Sequence, residues 1–327
     1  MENKYINAVV LSAAGDAMGW MTEFYFTKDD VLKAYGEFPL TKFHSWSKFN
    51  GSRFNGYLDT IAAGSYSDDT QLTLAVARSI KATGGVDHQY FAKVELSSWL
   101  EYKRGAGKTI TEASHKVQRK SVNWNSNFFT YKQKDNTIDY RDCGANGAAM
   151  RVLPIALFYS SDVVTTLEEI FCNSIVTHGH PRAIVSAMLY GYIINTILNY
   201  GISSIEIITY IGKNFAVKFN EVLLGLQQKE ELIFWFKKWN STGRDFALEF
   251  NETIKECLSL LRQGYLVLKN KTDFDVFLHE IGLFEKETKG SGTISVIGAL
   301  FCYCKYPNVS DGLIFTANLI GADTDSI

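Results

Sequence analysis

The chain has 327 residues, of which 46% are hydrophobic and 21% charged, with a formal net charge of −2. This composition is typical of a globular protein with a sizeable core, and the length allows one large domain or two. The nearly neutral charge predicts no electrostatic attraction to nucleic acid or to an anionic membrane, so partners must be recognised by local features.

Cysteine usage and the N-terminal residues predict a cytoplasmic location. The five cysteines are odd in number and lack metal-ligand spacing, which is typical of reduced, buried thiols. Residues 2–4 lead into an amphipathic segment rather than a signal peptide. No apolar run is expected to be long enough to cross a bilayer.

Helical periodicity dominates the stretches between glycines, and no repeat or linker divides the chain, so we predict an all-α, single-domain fold. The first helix is predicted over 4–18 and is expected to end in a tight turn at Gly15–Gly19. Residues 20–66, with a helical turn near 29–35, and residues 121–142 are predicted to be long, ordered aromatic loops. Further helices are predicted over 69–82, 87–103, 108–120, 147–159, 162–177, 181–199, 203–217, 219–238, 244–263, 291–304 and 310–321, with Tyr265–Leu268 as a possible strand.

Two acidic clusters stand out in the sequence. Ser67-Asp68-Asp69-Thr70 precedes an apolar-periodic run, where its oxygens would cap the free N–H groups of a helix start. A cap needs a single oxygen, however, and adjacent aspartates repel each other unless a cation or hydrogen-bond donors lie between them. Asp323-Thr324-Asp325-Ser326 repeats the pattern. Hard oxygen ligands in two such groups suit Mg²⁺ or Mn²⁺.

Other stretches give weaker signals. Glu23, at the mouth of the first long loop, fits a surface residue as well as a functional one. The run Arg104–Thr109 ends like a phosphate-binding loop, but Tyr102 occupies the place of the first glycine, which argues against a nucleoside triphosphatase. His178 and His180 are typical of structural histidines. Since no nucleophile elbow is present, metal-activated water is favoured over a covalent nucleophile.

Taken in order, these stretches resemble the ADP-ribosylglycohydrolase family, which includes arginine- and serine-specific hydrolases and the activating enzyme of dinitrogenase reductase. Short motifs spread from residue 15 to residue 326 carry the resemblance, and their shared order is more specific than any one of them. They are Gly15-Asp16-Ala17-Met18-Gly19 with Glu23, Ser67-Asp68-Asp69-Thr70, Gly105-Ala106-Gly107, Asn146-Gly147-Ala148-Ala149-Met150-Arg151, Thr177-His178 and Gly321-Ala322-Asp323-Thr324-Asp325-Ser326.

The resemblance implies an orthogonal helical bundle over residues 1–327, with two Mg²⁺ or Mn²⁺ ions in a central cleft. It implies catalytic roles for Glu23, Asp68 and Asp323, with Glu23 as a mobile ligand or gate. The implied metal ligands are Ser67, Asp68, Asp69, Asp323, Asp325 and Ser326. The implied ADP-ribose contacts are Gly105, Gly107, Asp142, Cys143, Gly144, Asn146 and His178. Either Tyr131 or Tyr140 is expected to stack on the adenine.

The sequence departs from the family pattern at three places. Ala145 and Ala322 stand where glycines are usual, and each adds a methyl group. The family continues past the last acidic motif with a glycine- and alanine-rich helix, whereas this sequence ends at Ile327. The domain is therefore expected to lack that helix, and the second acidic cluster is expected to fray.

We therefore expect a metal-dependent hydrolase that releases ADP-ribose from a modified acceptor. The acceptor, whether arginine, serine, another residue or a nucleic-acid base, would meet the loops 24–66 and 121–142. An alternative is a catalytically weak protein that binds ADP-ribose, or an immunity protein that binds an ADP-ribosyltransferase. The aromatic run from Phe43 to Tyr57, which includes Phe54, could then be an interaction surface. No membrane partner is expected, and no nucleic acid apart from a modified base.

Overall fold

The structure is a computed structural model that describes residues 2–51, 56–81, 84–202 and 204–327. Helices form most of this part of the chain, so the predicted all-α fold is confirmed. The helices are α1 (Glu2–Trp20), α2 (Lys28–Tyr35), α3 (Asp68–Ser79), α4 (His88–Tyr90), α5 (Leu96–Trp99), α6 (Lys108–Val117), α7 (Leu153–Phe158), α8 (Val163–Ile175), α9 (Pro181–Tyr200), α10 (Ser204–Gln228), α11 (Glu230–Asn240), α12 (Phe246–Asn270), α13 (Phe274–Glu280), α14 (Gly292–Lys305) and α15 (Val309–Ala317). A π turn (Phe91–Glu95) and two 3-10 turns (Tyr140–Asp142 and Asn146–Arg151) complete the helical part.

Helix α9 lies at the centre of the fold and packs against α7, α8, α12 and α14. Pro181 fits its first turn, where no N–H is needed, and Nδ1 of His180 accepts a hydrogen bond from the N–H of Arg182 at 3.0 Å. Contrary to the expectation from sequence, this helix is long and apolar enough to cross a membrane. However, 67% of its most apolar stretch is buried inside the protein, which is the usual situation of a core helix.

Two long helices differ from their predicted boundaries because tertiary packing overrides local signals. The break expected at residue 218 is absent, since Phe215, Phe219 and Val222 keep one face of α10 buried across it. Helix α12 is longer than predicted and contains Tyr265–Leu268, so that run is helical and not a strand. The short helix α13, capped by the residue before it, was not predicted.

Other predicted helices are interrupted or shortened. The π turn divides the helix predicted over 87–103, and the second 3-10 turn replaces the first half of the one predicted over 147–159. The helix predicted over 310–321 ends at Ala317, so the second acidic cluster follows it in an irregular segment. Residue 82 and residue 203 of two predicted helices, and Phe54 of the aromatic loop, lie outside the described residues.

The described parts of both predicted aromatic loops are ordered and each contains an antiparallel hairpin, and a further hairpin follows α3. The strands are β1 (Trp46–Asn50) with β2 (Tyr57–Ile61), β3 (Ile80–Lys81) with β4 (Gly85–Val86), and β5 (Thr130–Gln133) with β6 (Asn136–Asp139). Trp46 of β1 packs edge-on against Trp20 at the end of α1, with ring centroids 5.1 Å apart. This contact fixes the first hairpin beside the end of α1.

The segment that carries the second acidic cluster packs tightly against α1, so the expectation that it frays is wrong. The Thr324 hydroxyl donates to the carbonyl oxygen of Gly19 at 2.8 Å and lies 3.1 Å from the hydroxyl of Thr22. The expected turn at Gly15–Gly19 is also wrong, because both glycines lie inside α1. A Cβ at position 19 would overlap the carbonyl group of Thr324. Gly19 therefore permits the close approach of this segment.

We expect Gly19→Ala to lower the free energy of unfolding by about 1–3 kcal/mol, because the new methyl group meets backbone that cannot move aside cheaply. Gly15→Ala is the matched control on the same helix, since its Cβ would lie at an ordinary 3.5 Å from Leu313 Cδ2. That control should be neutral or stabilising by up to about 1 kcal/mol. Urea denaturation checks both variants, and equal effects would contradict the role given to Gly19.

Candidate active site

A cleft of about 670 Å³ opens between the end of α1, the start of α3 and the loops before α6 and α7. Every predicted site residue lines it except Ser67: Glu23, Asp68, Asp69, Gly105, Gly107, Asp142, Cys143, Gly144, Asn146, His178, Asp323, Asp325 and Ser326. The structure thus brings together residues that lie up to 303 positions apart, from 23 to 326, in the sequence.

Helix α3 begins with a cap that leaves both aspartates of the first cluster available to the cleft. The Ser67 hydroxyl accepts a hydrogen bond from the Asp69 N–H at 3.1 Å. The buried Asp16 carboxylate accepts bonds from the N–H groups of Ser67 and Thr70, both at 2.9 Å. Because Ser67 and Asp16 satisfy the start of the helix, Asp68 and Asp69 are not needed as caps.

Asp68 is held against the glycine loop that precedes α6. Its Oδ1 accepts a hydrogen bond from the Ala106 N–H at 2.8 Å. Gly105 has φ +91°, and a Cβ there would lie 2.6 Å from the same oxygen. Gly105 therefore permits both the left-handed backbone and the close approach of the Asp68 carboxylate. This explains the glycine without any contact between the loop and a ligand.

The second acidic cluster is joined to the first by direct side-chain contacts. The Ser326 hydroxyl donates to Asp69 Oδ2 at 2.6 Å. The Asn146 amide donates to Asp323 Oδ2 at 2.6 Å and to the Ser295 hydroxyl at 3.0 Å. Asn146 thus orients Asp323, a role that the sequence did not predict.

Glu23, Asp323 and Asp325 each place a carboxylate oxygen so that the three atoms lie within 4.8 Å of one another. Burial, and then repulsion from Asp323, raises the pKa of Glu23 to about 8. Burial raises the pKa of Asp68 to about 7. Burial and neighbouring carboxylates likewise hold the pKa values of Asp69 and Asp325 well above the ordinary range. Such a cluster resists full ionisation unless a cation lies among the oxygens.

The donor set fits a hard divalent cation. All the groups that converge are carboxylate or hydroxyl oxygens, which Mg²⁺ and Mn²⁺ prefer over nitrogen or sulfur. Glu23, Asp323 and Asp325 lie close enough together to hold one ion, and Asp68, Asp69 and Ser326 also line the cleft. Ser67 does not line the cleft, so its position does not support the predicted role as a metal ligand.

The wall of the cleft at the start of α6 suits an anion. Gly107, the residue before α6, provides no side-chain cap, so backbone N–H groups of the first turn can meet a negative ligand. His178 lines the cleft and is buried, with Nδ1 2.8 Å from the Thr177 hydroxyl. Burial, and then the charge of Arg151, lowers the pKa of His178 well below its ordinary value. His178 therefore offers a neutral ring.

The sequence profile described as ADP-ribosylglycohydrolase matches residues 1–327. The chain belongs to the ADP-ribosylglycohydrolase family. A solved structure titled "ADP-ribosylglycohydrolase-related protein complex" superposes with a TM-score of 0.58 and 15% identity, covering 98% of this chain and 82% of that one. This likeness shows that the two share a fold.

Two relatives in bacteria have more specific names. The chain is 24% identical over 200 residues to the ADP-ribosyl-dinitrogen reductase glycohydrolase of Rhodospirillum rubrum, covering 61% of this chain and 59% of that protein. It is 23% identical over 205 residues to an ADP-ribosylarginine hydrolase of Serratia proteamaculans, covering 60% and 48%. The chain therefore spans roughly half the length of these relatives, at 59% and 48%.

The two tyrosines expected near the adenine have different roles. Tyr140 is fully buried, and its hydroxyl donates to the Ile175 carbonyl at 2.5 Å and accepts from Trp235 Nε1 at 3.0 Å. It cannot reach a ligand in the cleft, so this alternative is wrong. Tyr131 lines the cleft, and its hydroxyl lies 3.0 Å from that of Thr109. Only Tyr131 remains available for stacking.

Asp142 and the family departures also have clear surroundings. Asp142 accepts a hydrogen bond from Arg244 Nη1 at 2.8 Å, so an arginine holds this cleft carboxylate. Ala145 lines the cleft in an extended conformation that needs no glycine. Ala322 is fully buried in the core. The two extra methyl groups are accommodated without strain.

Several site residues escaped the sequence analysis. Asp16 was part of a quoted motif, but nothing in the sequence showed that it caps a helix more than 50 residues away, at Ser67. Lys48 and Lys289 lie close enough to lower the pKa of Glu23 by attraction. The sequence contains many lysines, and only the fold shows which of them approach the carboxylates.

Without metal, stability should fall as the pH rises from about 4 to 8. The pKa of Glu23 rises from an ordinary 4.5 to about 8, and that of Asp68 from 3.8 to about 7. Both groups therefore bind more protons in the folded state, and the stability they confer below pH 4 is lost as each ionises.

Thermal unfolding across this range in chelator should show the fall, and excess Mn²⁺ should reduce it. Glu23→Gln removes one of the titrating groups, so the loss of stability in chelator should be smaller for this variant. A wild-type melting temperature equally dependent on pH with and without Mn²⁺ would contradict this account.

Proposed function

We propose that the chain is a hydrolase that releases ADP-ribose from an ADP-ribosylated acceptor and requires Mg²⁺ or Mn²⁺. The observation that carries the proposal is the convergence of two separate acidic clusters and Glu23 at one end of a cleft with an anion-compatible wall. Membership of the family and the names of the two bacterial relatives support this activity.

The cleft offers a place for each part of ADP-ribose. Tyr131 would stack on the adenine, and the free N–H groups at the start of α6 would meet the pyrophosphate. The carboxylate cluster would then lie at the distal ribose, next to the bond to be cleaved. A volume of about 670 Å³ lies within the range of small-molecule sites.

In the reaction, the oxygen of water forms a bond to the anomeric carbon of the ribose, the bond to the acceptor breaks, and the acceptor takes up a proton. When bound, the divalent ions supply Lewis acidity at the carboxylate end of the cleft. Asp68, held by Ala106, and Asp323, held by Asn146, are pre-oriented toward this end. Such pre-orientation reduces the reorganisation that the reaction requires.

A binding function without turnover is a second candidate. It is favoured by the exposed cross-strand pair of Phe49 and Leu58, which are 59% and 66% exposed on the first hairpin. Solvent-exposed apolar pairs of this kind occur at protein interfaces. Tight binding of ADP-ribose or of a transferase without release of ADP-ribose would favour this candidate over the hydrolase.

Asp323→Asn should lower metal-dependent release of ADP-ribose by about a hundredfold or more, because it removes a charged ligand from the cluster. The exposed Asp135→Asn, at the turn between β5 and β6, is the matched control and should retain full activity. Metal content by mass spectrometry should fall in the first variant alone. If Asp323→Asn releases ADP-ribose as fast as the wild type and still requires Mn²⁺, the role of Asp323 as a metal ligand is wrong.

Tyr131→Ala should weaken binding of ADP-ribose by about tenfold, as expected for the loss of one aromatic stacking contact. Tyr131→Phe keeps the ring and loses the hydroxyl with its contact to Thr109, so its affinity should stay close to that of the wild type. Calorimetry measures both variants, and ribose 5-phosphate should bind all three proteins alike. Equal losses in the Ala and Phe variants would show that the hydroxyl matters and not the ring.

A further inference from the structure

The hairpin of β5 and β6 presents one uncharged face to the cleft. Tyr131 and Gln133 are two residues apart on β5, and Ile138 lies directly opposite Tyr131 on β6. All three line the cleft, as expected for residues that share one face of a hairpin. Lys132, which does not line the cleft, instead donates from Nζ to the Thr137 hydroxyl at 2.6 Å. This wall of the cleft therefore consists of a phenol ring, an aliphatic side chain and one amide.

The hairpin is fixed to the first turn of α6. Lys108 and Thr109 are the first two residues of that helix. The Thr109 hydroxyl lies 3.0 Å from the Tyr131 hydroxyl, and Lys108 Nζ donates to the Lys132 carbonyl. The same turn supplies the N–H groups that would meet the pyrophosphate, so the fold sets the position of the hairpin relative to that group. The part of ADP-ribose that reaches the hairpin is then its base.

The side-chain amide of Gln133 is available to a ligand. Within the part of the chain that the structure describes, it has no hydrogen-bond partner. An amide carries N–H donors and a carbonyl acceptor side by side. Two residues along a strand span about 7 Å, so this amide lies beside a ring that stacks on Tyr131. Gln133 is therefore placed to contact the edge of such a ring.

The charged groups near this wall are held by other partners. Lys108 Nζ lies 5.3 Å from the centre of the Tyr131 ring, but it is bound by the Lys132 carbonyl. Asp142 is bound by Arg244. An aromatic and aliphatic surface with a single amide suits a flat, neutral heterocycle, which the amide can orient.

We propose that Gln133 determines the base specificity of the site, its amide accepting a hydrogen bond from the 6-amino group of adenine and donating one to the neighbouring ring nitrogen. The inference rests on the proposed function, which puts adenine on Tyr131. Adenine presents this donor and this acceptor side by side, and a glutamine amide matches them with two hydrogen bonds. A purine without the amino group can make only one. Because Gln133 is exposed, water competes for the amide and the selectivity is modest.

Calorimetry with ADP-ribose and with the same nucleotide lacking the 6-amino group tests the proposal. The wild type should bind ADP-ribose about fivefold more tightly, as expected for one additional hydrogen bond. Gln133→Leu removes the amide at similar size and should bring the two affinities together. A general disturbance of the hairpin would weaken both ligands alike, so the ratio distinguishes recognition of the amino group from a structural role.

Asn136→Leu is the matched control. Asn136 lies directly opposite Gln133 on β6 and does not line the cleft. The same change of amide to aliphatic side chain should therefore leave both affinities and their ratio unchanged. Loss of the ratio in this variant as well would overturn the role of Gln133.

The remaining outcomes separate this inference from the hydrolase function. Equal affinities of the wild type for the two nucleotides, or a ratio that survives in Gln133→Leu, would overturn base recognition by Gln133 and leave the hydrolase function intact. The expected ratios without release of ADP-ribose from any acceptor would support base recognition and contradict the hydrolase function. Absence of ADP-ribose binding to the wild type would contradict both.

Discussion

The contact on which the site depends is the packing of residues 323–326 against the end of α1. Thr324 is buried between Gly19 and Thr22, and its neighbours on either side, Asp323 and Asp325, then point into the cleft. The segment turns here, since the Ser326 N–H donates to the Asp323 carbonyl at 3.2 Å, and Ser326 also lines the cleft. Without this contact, the cluster would lose Asp323 and Asp325 and keep only the carboxylates of Glu23, Asp68 and Asp69.

The first acidic cluster suggested two tasks, capping the start of α3 and presenting carboxylates to a cation, and separate residues perform them. Ser67 and the buried Asp16 satisfy the N–H groups at the start of α3, which the sequence attributed to the cluster as a whole. Asp68 and Asp69 are thereby free to face the cleft, where the helix dipole also favours their charge. Two adjacent carboxylates are therefore present because Ser67 and Asp16 cap the helix, while Asp68 and Asp69 face the cleft.

The sequence predicted the helical class because periodicity is a local property, and the resemblance to the family predicted that nearly every motif residue would lie in one cleft. The predictions were wrong or incomplete where the structural role of a residue depends on a partner far away in the sequence. Gly19 resembled a turn residue, although its purpose is to admit the Thr324 carbonyl. Tyr131 and Tyr140 could not be distinguished, since only the fold shows that Trp235 and Ile175 enclose Tyr140. Likewise, nothing in the sequence around Asn146 indicated that its amide orients Asp323.

The near-neutral composition is consistent with a strongly polarised cleft. The acidic groups lie together at one end, where burial first, and then repulsion between the carboxylates, raises the pKa values of Glu23, Asp69 and Asp325. Backbone N–H groups at the start of α6 suit an anion without any basic surface. Asp142, which also lines the cleft, is bound by Arg244, which in turn holds Glu249. The acidic cluster therefore favours a cation and the start of α6 favours an anion, which a net charge of −2 could not reveal.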